Sequence, residues 1–521
     1  MIRFRSMAVG LLLLSLAAAG RLPAQESAPL QLVLAAGSKV ERWSLDVRFD
    51  GTPVAHLRRR ALQQMLDFYD VDRDGQLGEQ EASALPTPFG MRQLTTGRVL
   101  PAATRPPASV DQNQDGRLSL DELAVYYGDG TGCLVAGCQS PATDALNAAL
   151  LRAFSLAEGD VLDPPKLNAA ASGLLRLDAN GDELVSAGEL VPGVKYPGAH
   201  AATMRSGQTP AADAPWLLFP PADDGLAWRQ NWQARLDHDG DQRLASTELQ
   251  PQGEDFTALD RDHDGDLDEA ELAAWRSTPP PRRLQAKLWG QGALLSSDAE
   301  PGSPATTTLW ISTATHAVRA HGVWLDHAVS REKLAALAAQ LRDLAEPNAQ
   351  ATPLAAIQDI PNRVELLRFA ALADANRDEQ TTFAEADACV AYLAAWLRSQ
   401  AVLSIVDLQA SLFACLDQNF DGSLSAAELT SSEKRLAEGG FVKEGRFTLQ
   451  AAPRQLRLVL SNGVPDQLLD GGLRTGPAWF QAMDRNGDGA LTHGEFLAGD
   501  AEFQSLDKNG DGRIVLEELT D

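Results

Sequence analysis

Carboxylates recur in this chain at a spacing that suits one divalent cation. Asp70, Asp72 and Asp74 stand at positions one, three and five of a twelve-residue stretch; Gly75 occupies position six, Gln76 offers its backbone carbonyl at seven, and Glu81 closes the stretch at twelve. Alternate acidic side chains on a tightly turning loop converge on a hard ion, and the terminal glutamate adds two oxygens to a shell of about seven. The pattern returns eight times, with position seven again counted through its carbonyl: Asp111, Asn113, Asp115, Arg117 and Glu122; Asp178, Asn180, Asp182, Leu184 and Glu189; Asp237, Asp239, Asp241, Arg243 and Glu248. The fifth copy is Asp260, Asp262, Asp264, Asp266 and Glu271; the sixth is Asp374, Asn376, Asp378, Gln380 and Glu385; the seventh is Asp417, Asn419, Asp421, Ser423 and Glu428. The eighth is Asp484, Asn486, Asp488, Ala490 and Glu495, and the ninth Asp507, Asn509, Asp511, Arg513 and Glu518. A bidentate glutamate suits the flexible shell of calcium over the octahedron of magnesium, so calcium is the expected cofactor. A surface turn rich in Asp, Asn and Gly would account for one such match; it does not account for nine.

These stretches resemble the EF-hand loops of the calmodulin superfamily, over the loops and their flanking helices alone. The resemblance implies helix–loop–helix units joined in pairs by a short β bridge at position eight, where Leu77, Leu118, Val185, Leu244, Leu267, Leu424, Leu491 and Ile514 are apolar and Thr381 is not. Position six calls for a positive φ, and Glu183, Gln242 and Glu379 stand there in place of glycine. A left-handed residue with a Cβ costs on the order of 1 kcal/mol, about fivefold in affinity, so these three sites are expected to fill last. The ninth hand has barely one turn of exit helix before Asp521 and is expected to fray.

Loop spacing predicts the pairing. Asp237 to Asp260 and Asp484 to Asp507 each span 23 residues, which leaves one short helix between partners; Asp70 to Asp111 and Asp374 to Asp417 are longer, at 41 and 43. Ser155 to Lys166, 23 residues before Asp178 at its start, has loop length but carries Ala157, Gly159 and Lys166 where ligands belong, and reads as a vestigial partner of the third loop that bridges through Leu162 without binding metal.

The elements that would position these loops are helices. Val54, Leu57, Ala61, Met65 and Phe68 recur every three or four residues before the first loop, the stripe of a buried entry helix. Leu30 to Val54, with Trp43, Leu45, Val47 and Phe49 alternating, and Arg283 to Trp324 look like strands instead, as does Phe447 to Leu460. The fold class expected is mainly α, tandem EF-hand pairs with short β bridges and minor β-rich spacer segments. The divisions read as a signal peptide over 1–24, a strand lead-in with hands one and two over 25–130, a vestigial hand with hands three to five over 131–277, a β-rich spacer over 278–330, hands six and seven over 331–440, and a strand segment with hands eight and nine over 441–521.

Charge follows the same sites. The nine loops hold 38 of the 71 acidic residues and 8 of the 45 basic ones, a balance of −30 against −26 for the chain. Such concentrated like charge repels itself until cations fill it, so folding and ion binding are expected to be coupled, and nucleic acid is disfavoured as a partner. Arg3 and Arg5, the apolar run Met7–Ala19 and Ala24 lay out a secretory signal with no membrane span after its removal, which implies a secreted or periplasmic protein. In that oxidising setting Cys133, Cys138, Cys389 and Cys415 are read as two local disulfides.

No Gly-x-Ser-x-Gly elbow, His-Glu-x-x-His or phosphate loop occurs, and His316, His321 and His327 read as exposed histidines, His316 and His321 pointing to opposite sides of a strand. The expectation is a non-enzymatic calcium-binding protein with a structural or buffering role. The alternative is a calcium-stiffened adhesion or assembly module that grips another envelope or extracellular protein, supported by an exposed aromatic patch at Trp216, Trp228 and Trp232; a calcium-dependent enzyme with its chemistry in 272–373 comes third.

Overall fold

Trp43, Leu45, Val47 and Phe49 lie on one face of the strand Lys39–Phe49, and that strand is the spine of a seven-stranded sheet. Apart from 95–97, 100–109, 112, 129–132, 140–141, 195, 197–204, 207–215, 220–225, 291, 299–304, 307, 314, 326, 347–348, 359–362, 420, 464–476, 488 and 511, the computed structural model describes residues 30–519. From edge to edge the main path of the first sheet runs Gly292–Ser297, Arg282–Trp289, Lys39–Phe49, Leu30–Ala36 and Trp216–Phe219. A second, six-stranded sheet runs Thr308–Ser312, His316–Val323, Arg454–Ser461, Ala401–Asp407, Cys133–Gln139 and Arg205–Ser206.

The two sheets share one core. Trp43, Leu45 and Leu284 of the first meet Val318, Leu403 and Leu458 of the second in a single buried cluster. Because strand side chains alternate, each sheet has a second face to cover. Val33, Val40 and Leu217 of the first sheet pack against Trp232, Leu244, Leu267 and Trp275 of the fourth and fifth hands. Val406 and Val459 of the second sheet pack against Val185, Phe413 and Leu424 of the third and seventh hands. Hands one, two and six build a further core around Met65, Leu118, Phe369 and Tyr392, and hands eight and nine a small one of Phe480, Leu491, Phe503 and Ile514.

The mainly α architecture is therefore overturned: the chain is a mixed helix and strand structure organised on two mixed sheets. The reason lies in the parallel pairs. Arg282–Trp289 runs parallel to Lys39–Phe49, His316–Val323 to Arg454–Ser461, and Ala401–Asp407 to Cys133–Gln139. Parallel neighbours need a long crossover, and here the crossovers contain the hands: five loops separate the first pair in sequence and two the second. Residues 282–323, read as spacer strands, instead supply strands to both sheets.

The histidine expectation also changes. His316, His321 and His327 are buried, not exposed. His316 Nδ1 lies 2.9 Å from Thr315 Oγ1 beside buried Glu41, His321 Nε2 lies 3.4 Å from Arg457, and His327 Nε2 lies 2.9 Å from the Asn462 carbonyl. Residues 1–24, read as a signal peptide, lie outside the described residues. Among the described residues no helix is long and apolar enough to cross a membrane.

Candidate metal centres

All nine loops fold on one plan. In each, the position-one aspartate accepts a hydrogen bond from the position-six amide, from Gly75 N–H to Asp70 Oδ2 at 2.9 Å in the first loop to Gly512 N–H to Asp507 Oδ2 at 2.9 Å in the last. In each, one oxygen of the position-twelve glutamate accepts from the amide at position nine, as Gly78 N–H does to Glu81 Oε2 at 2.8 Å; a helix starts there in every loop but the fourth and eighth, where the chain makes a turn. These bonds cap the helix where one follows and turn the two ends of the loop toward each other. In the first, fourth and fifth loops one carboxylate oxygen from each of positions one, three and twelve falls within 4.8 Å of the others, the spread of oxygens that share an ion at about 2.4 Å. The third, sixth, seventh, eighth and ninth loops carry asparagine at position three, as does the second. Asp488 and Asp511 lie outside the described residues.

The donors fit a cation. Asp417 Oδ1 and Asp260 Oδ1 are buried in their loops with no hydrogen-bond partner, a state that a buried carboxylate oxygen rarely keeps without a counter-charge. Asp417 is fully buried, and burial, followed by the charges of Glu428 and Asp421, pushes its carboxyl well above the carboxylate range. Burial pushes Glu428 up to about 7. These residues would hold a calcium ion through their oxygens; the ion would supply positive charge and fix the loop.

Backbone geometry tests the ranking of loops. Glu183, Gln242 and Glu379 adopt φ of 66°, 68° and 65°, as position six requires. Position four needs the same conformation, which the sequence reading missed. Gly181 and Gly240 supply it without cost in the third and fourth loops, whereas the sixth has Arg377 at φ 57°, so this loop alone among those described forces two Cβ-bearing residues into the left-handed region without a glycine at either place.

Pairing departs from the spacing rule in the middle of the chain. Leu77 bridges Leu118, Leu244 pairs with Leu267 and Leu491 with Ile514, joining hands one to two, four to five and eight to nine. The third loop, however, pairs with the seventh through Val185 and Leu424, 239 residues apart in sequence. The sixth pairs with the strand Ala351–Pro353, Thr381 opposite Thr352; Thr381 is buried and its hydroxyl donates to the Ala370 carbonyl at 3.0 Å, so this bridge forms without an apolar residue.

The Ser155–Lys166 stretch does not bridge the third loop through Leu162, although Leu162 packs against the core that holds Val185. Val161 bridges Arg446 of the hairpin Val442–Phe447, and Gly159 N–H donates to the Phe447 carbonyl at 2.9 Å. Lys166, at position twelve, sends its ammonium 2.9 Å to the Ser155 carbonyl at position one. A side-chain cation thus ties the ends of this loop.

The disulfide reading fails on geometry. Cys389 and Cys415 are free thiols buried in different cores, and burial pushes the Cys415 thiol up to about 12. Cys133 and Cys138 lie five residues apart on one strand, a separation of about 16 Å along its axis, beyond the reach of a disulfide.

Five segments match the EF hand family model: residues 108–125, 254–274, 408–431, 478–498 and 500–521. They cover the second, fifth, seventh, eighth and ninth loops, and EF hands imply binding of a metal ion, calcium above all. No curated protein and no solved structure matches the chain. Of the four loops outside the matches, three lack the position-six glycine, yet their backbones follow the same course.

Proposed function

We propose that this chain is a calcium-binding structural protein, secreted or periplasmic, in which about nine loop-bound ions rigidify a two-sheet scaffold whose outer faces the hands partly cover. The observation that carries the reading is the shared packing of hands and sheets. The fourth and fifth hands complete the core of the first sheet, and the third and seventh that of the second. An ion that orders such a loop therefore also holds a sheet in place, which favours a structural role over a freely switching sensor. Four methionines after the leader, Met65, Met91, Met204 and Met483, are too few for a methionine-rich target groove, and the reading is of a binding protein with no reaction of its own.

The adhesion alternative loses its support, since Trp216 and Trp232 are buried rather than exposed; the side chain of Trp228 lies outside the described residues. Equilibrium dialysis of the mature chain against calcium, with the bound ion counted by atomic emission, tests the reading. The nine loops predict close to nine ions per chain, with magnesium unable to replace them; fewer than about five, or equal retention of magnesium, contradicts it.

A further inference from the structure

The eighth loop is wedged against two loops of another hand pair. Its position-three residue Asn486 donates from Nδ2 to the Asp182 carbonyl of the third loop at 3.3 Å. Asn419, at position three of the seventh loop, donates from Nδ2 to the Gly487 carbonyl of the eighth at 3.3 Å. Thr492 of the eighth loop sends its hydroxyl 3.4 Å to Glu183 Oε1, the residue that replaces glycine at position six of the third loop. The third and seventh loops are themselves paired, so three loops meet around one seam.

Two observations point to ions in that seam. The three loops bring together ten acidic residues against one arginine, and the carboxylates of Asp182 and Asp484 act electrostatically on Asp421 across the loop boundaries. Asp417 Oδ1, buried in the seventh loop, has no hydrogen-bond partner there. Like charges at this range resist contact unless cations lie among them, while two of the three contacts are made by uncharged amides to carbonyls. An asparagine at position three has both groups that this arrangement needs: an amide oxygen for the ion and an amide nitrogen for a neighbour, where an aspartate has only acceptors. In the second, third and sixth loops the corresponding amide turns back to the position-five carboxylate of its own loop, as Asn113 does to Asp115 at 2.9 Å, and Asn419 does so as well, to Asp421 Oδ2 at 2.8 Å, beside its bond to the eighth loop. Asn486 reaches a different hand pair.

We propose that the third, seventh and eighth loops form one coupled calcium cluster, in which Asn419 and Asn486 serve the ion with the amide oxygen and clasp the neighbouring loop with the amide nitrogen, so that filling docks the C-terminal hand pair on the third and seventh hands. The coupling rests on the calcium-binding reading above. It also gives a role to Glu183: the side chain that makes the third loop harder to form faces the eighth.

The test is hydrogen–deuterium exchange on the full chain, in millimolar calcium and in chelator, with bound calcium counted in parallel. In the wild type, chelation is expected to release protection at 178–186, 417–425 and 484–492 together. Asn486→Asp and Asn486→Ser both keep an oxygen at position three and lose the amide donor, one with an added charge and one without. At calcium concentrations that saturate each variant by its ion count, both are expected to exchange about tenfold faster at 182–186 and 484–492 than the saturated wild type, the effect of one or two net hydrogen bonds. Wild-type exchange in both variants at full ion count would overturn the clasp, and loss of protection at the eighth loop alone on chelation would overturn the coupling. A chain that binds no calcium fails the parent reading, which the ion count separates from the other outcomes.

Discussion

Arg319 donates from Nη1 to the Asp417 carbonyl at 2.7 Å, out of the second sheet and into the first residue of the seventh loop. Its Nη2 donates to the Cys415 carbonyl at 2.9 Å, so one guanidinium caps the C-terminus of the entry helix Leu412–Leu416. The neighbouring strand places Arg457 in register with it. The sheet thus supplies fixed positive charge beneath the most buried of the nine loops.

That contact predicts the effect of its removal. Arg319→Met keeps the apolar stem and deletes both bonds, leaving two buried carbonyls without a donor at a cost of about 2 kcal/mol. Urea unfolding of the calcium-loaded variant should show this loss, with the first and second loops filling as in the wild type.

Acidity should act on the seventh loop before the exposed ones. In the metal-free fold Glu428 lies near 7 and Asp417 is raised as well, both chiefly through burial. Their folded pKa values stand above the unfolded ones, so the metal-free protein binds more protons than the unfolded chain between about 4.5 and 7 and loses stability as pH rises through that window. Calcium must displace those protons. Its binding at this loop is expected to weaken below pH 7 and to release protons, which calorimetry in two buffers of different ionisation enthalpy measures directly.

The sixth loop should be the easiest to improve. Glu379→Gly removes a Cβ from a residue at φ 65° and should gain on the order of 1 kcal/mol, about fivefold in affinity. The amide resonance at position 379, which reports its bond to Asp374 Oδ2, should reach its bound shift at correspondingly lower calcium. The same change at Gln242 should gain a similar amount, because Gly240 relieves position four alone.

The loops were legible because each is a local object: twelve residues contain the turn, the caps and the donors. Trp43, Leu45, Val47 and Phe49 likewise announced a strand through local alternation. The architecture was not legible, because the partner of that strand is Arg282–Trp289 and the partner of the third loop is the seventh. Nothing in Val185 names Leu424 across 239 residues, and neighbouring spacing suggested partners nearby. The histidines misled for a related reason. Polar residues on strands read as exposed when one sheet face is assumed wet, whereas the strand His316–Val323 is buried on both faces from 316 to 321. The cysteines were read as local pairs from the oxidising setting, and Cys133–Gln139 is a single strand that keeps Cys133 and Cys138 apart.

Thermal unfolding of the whole chain in chelator and in millimolar calcium addresses the central claim most directly. With free calcium at about ten times the dissociation constant, each filled site adds about 1.4 kcal/mol, so the midpoint should rise by many degrees in calcium and not in magnesium. Coincident melting curves under the two conditions would contradict a scaffold held together by its ions.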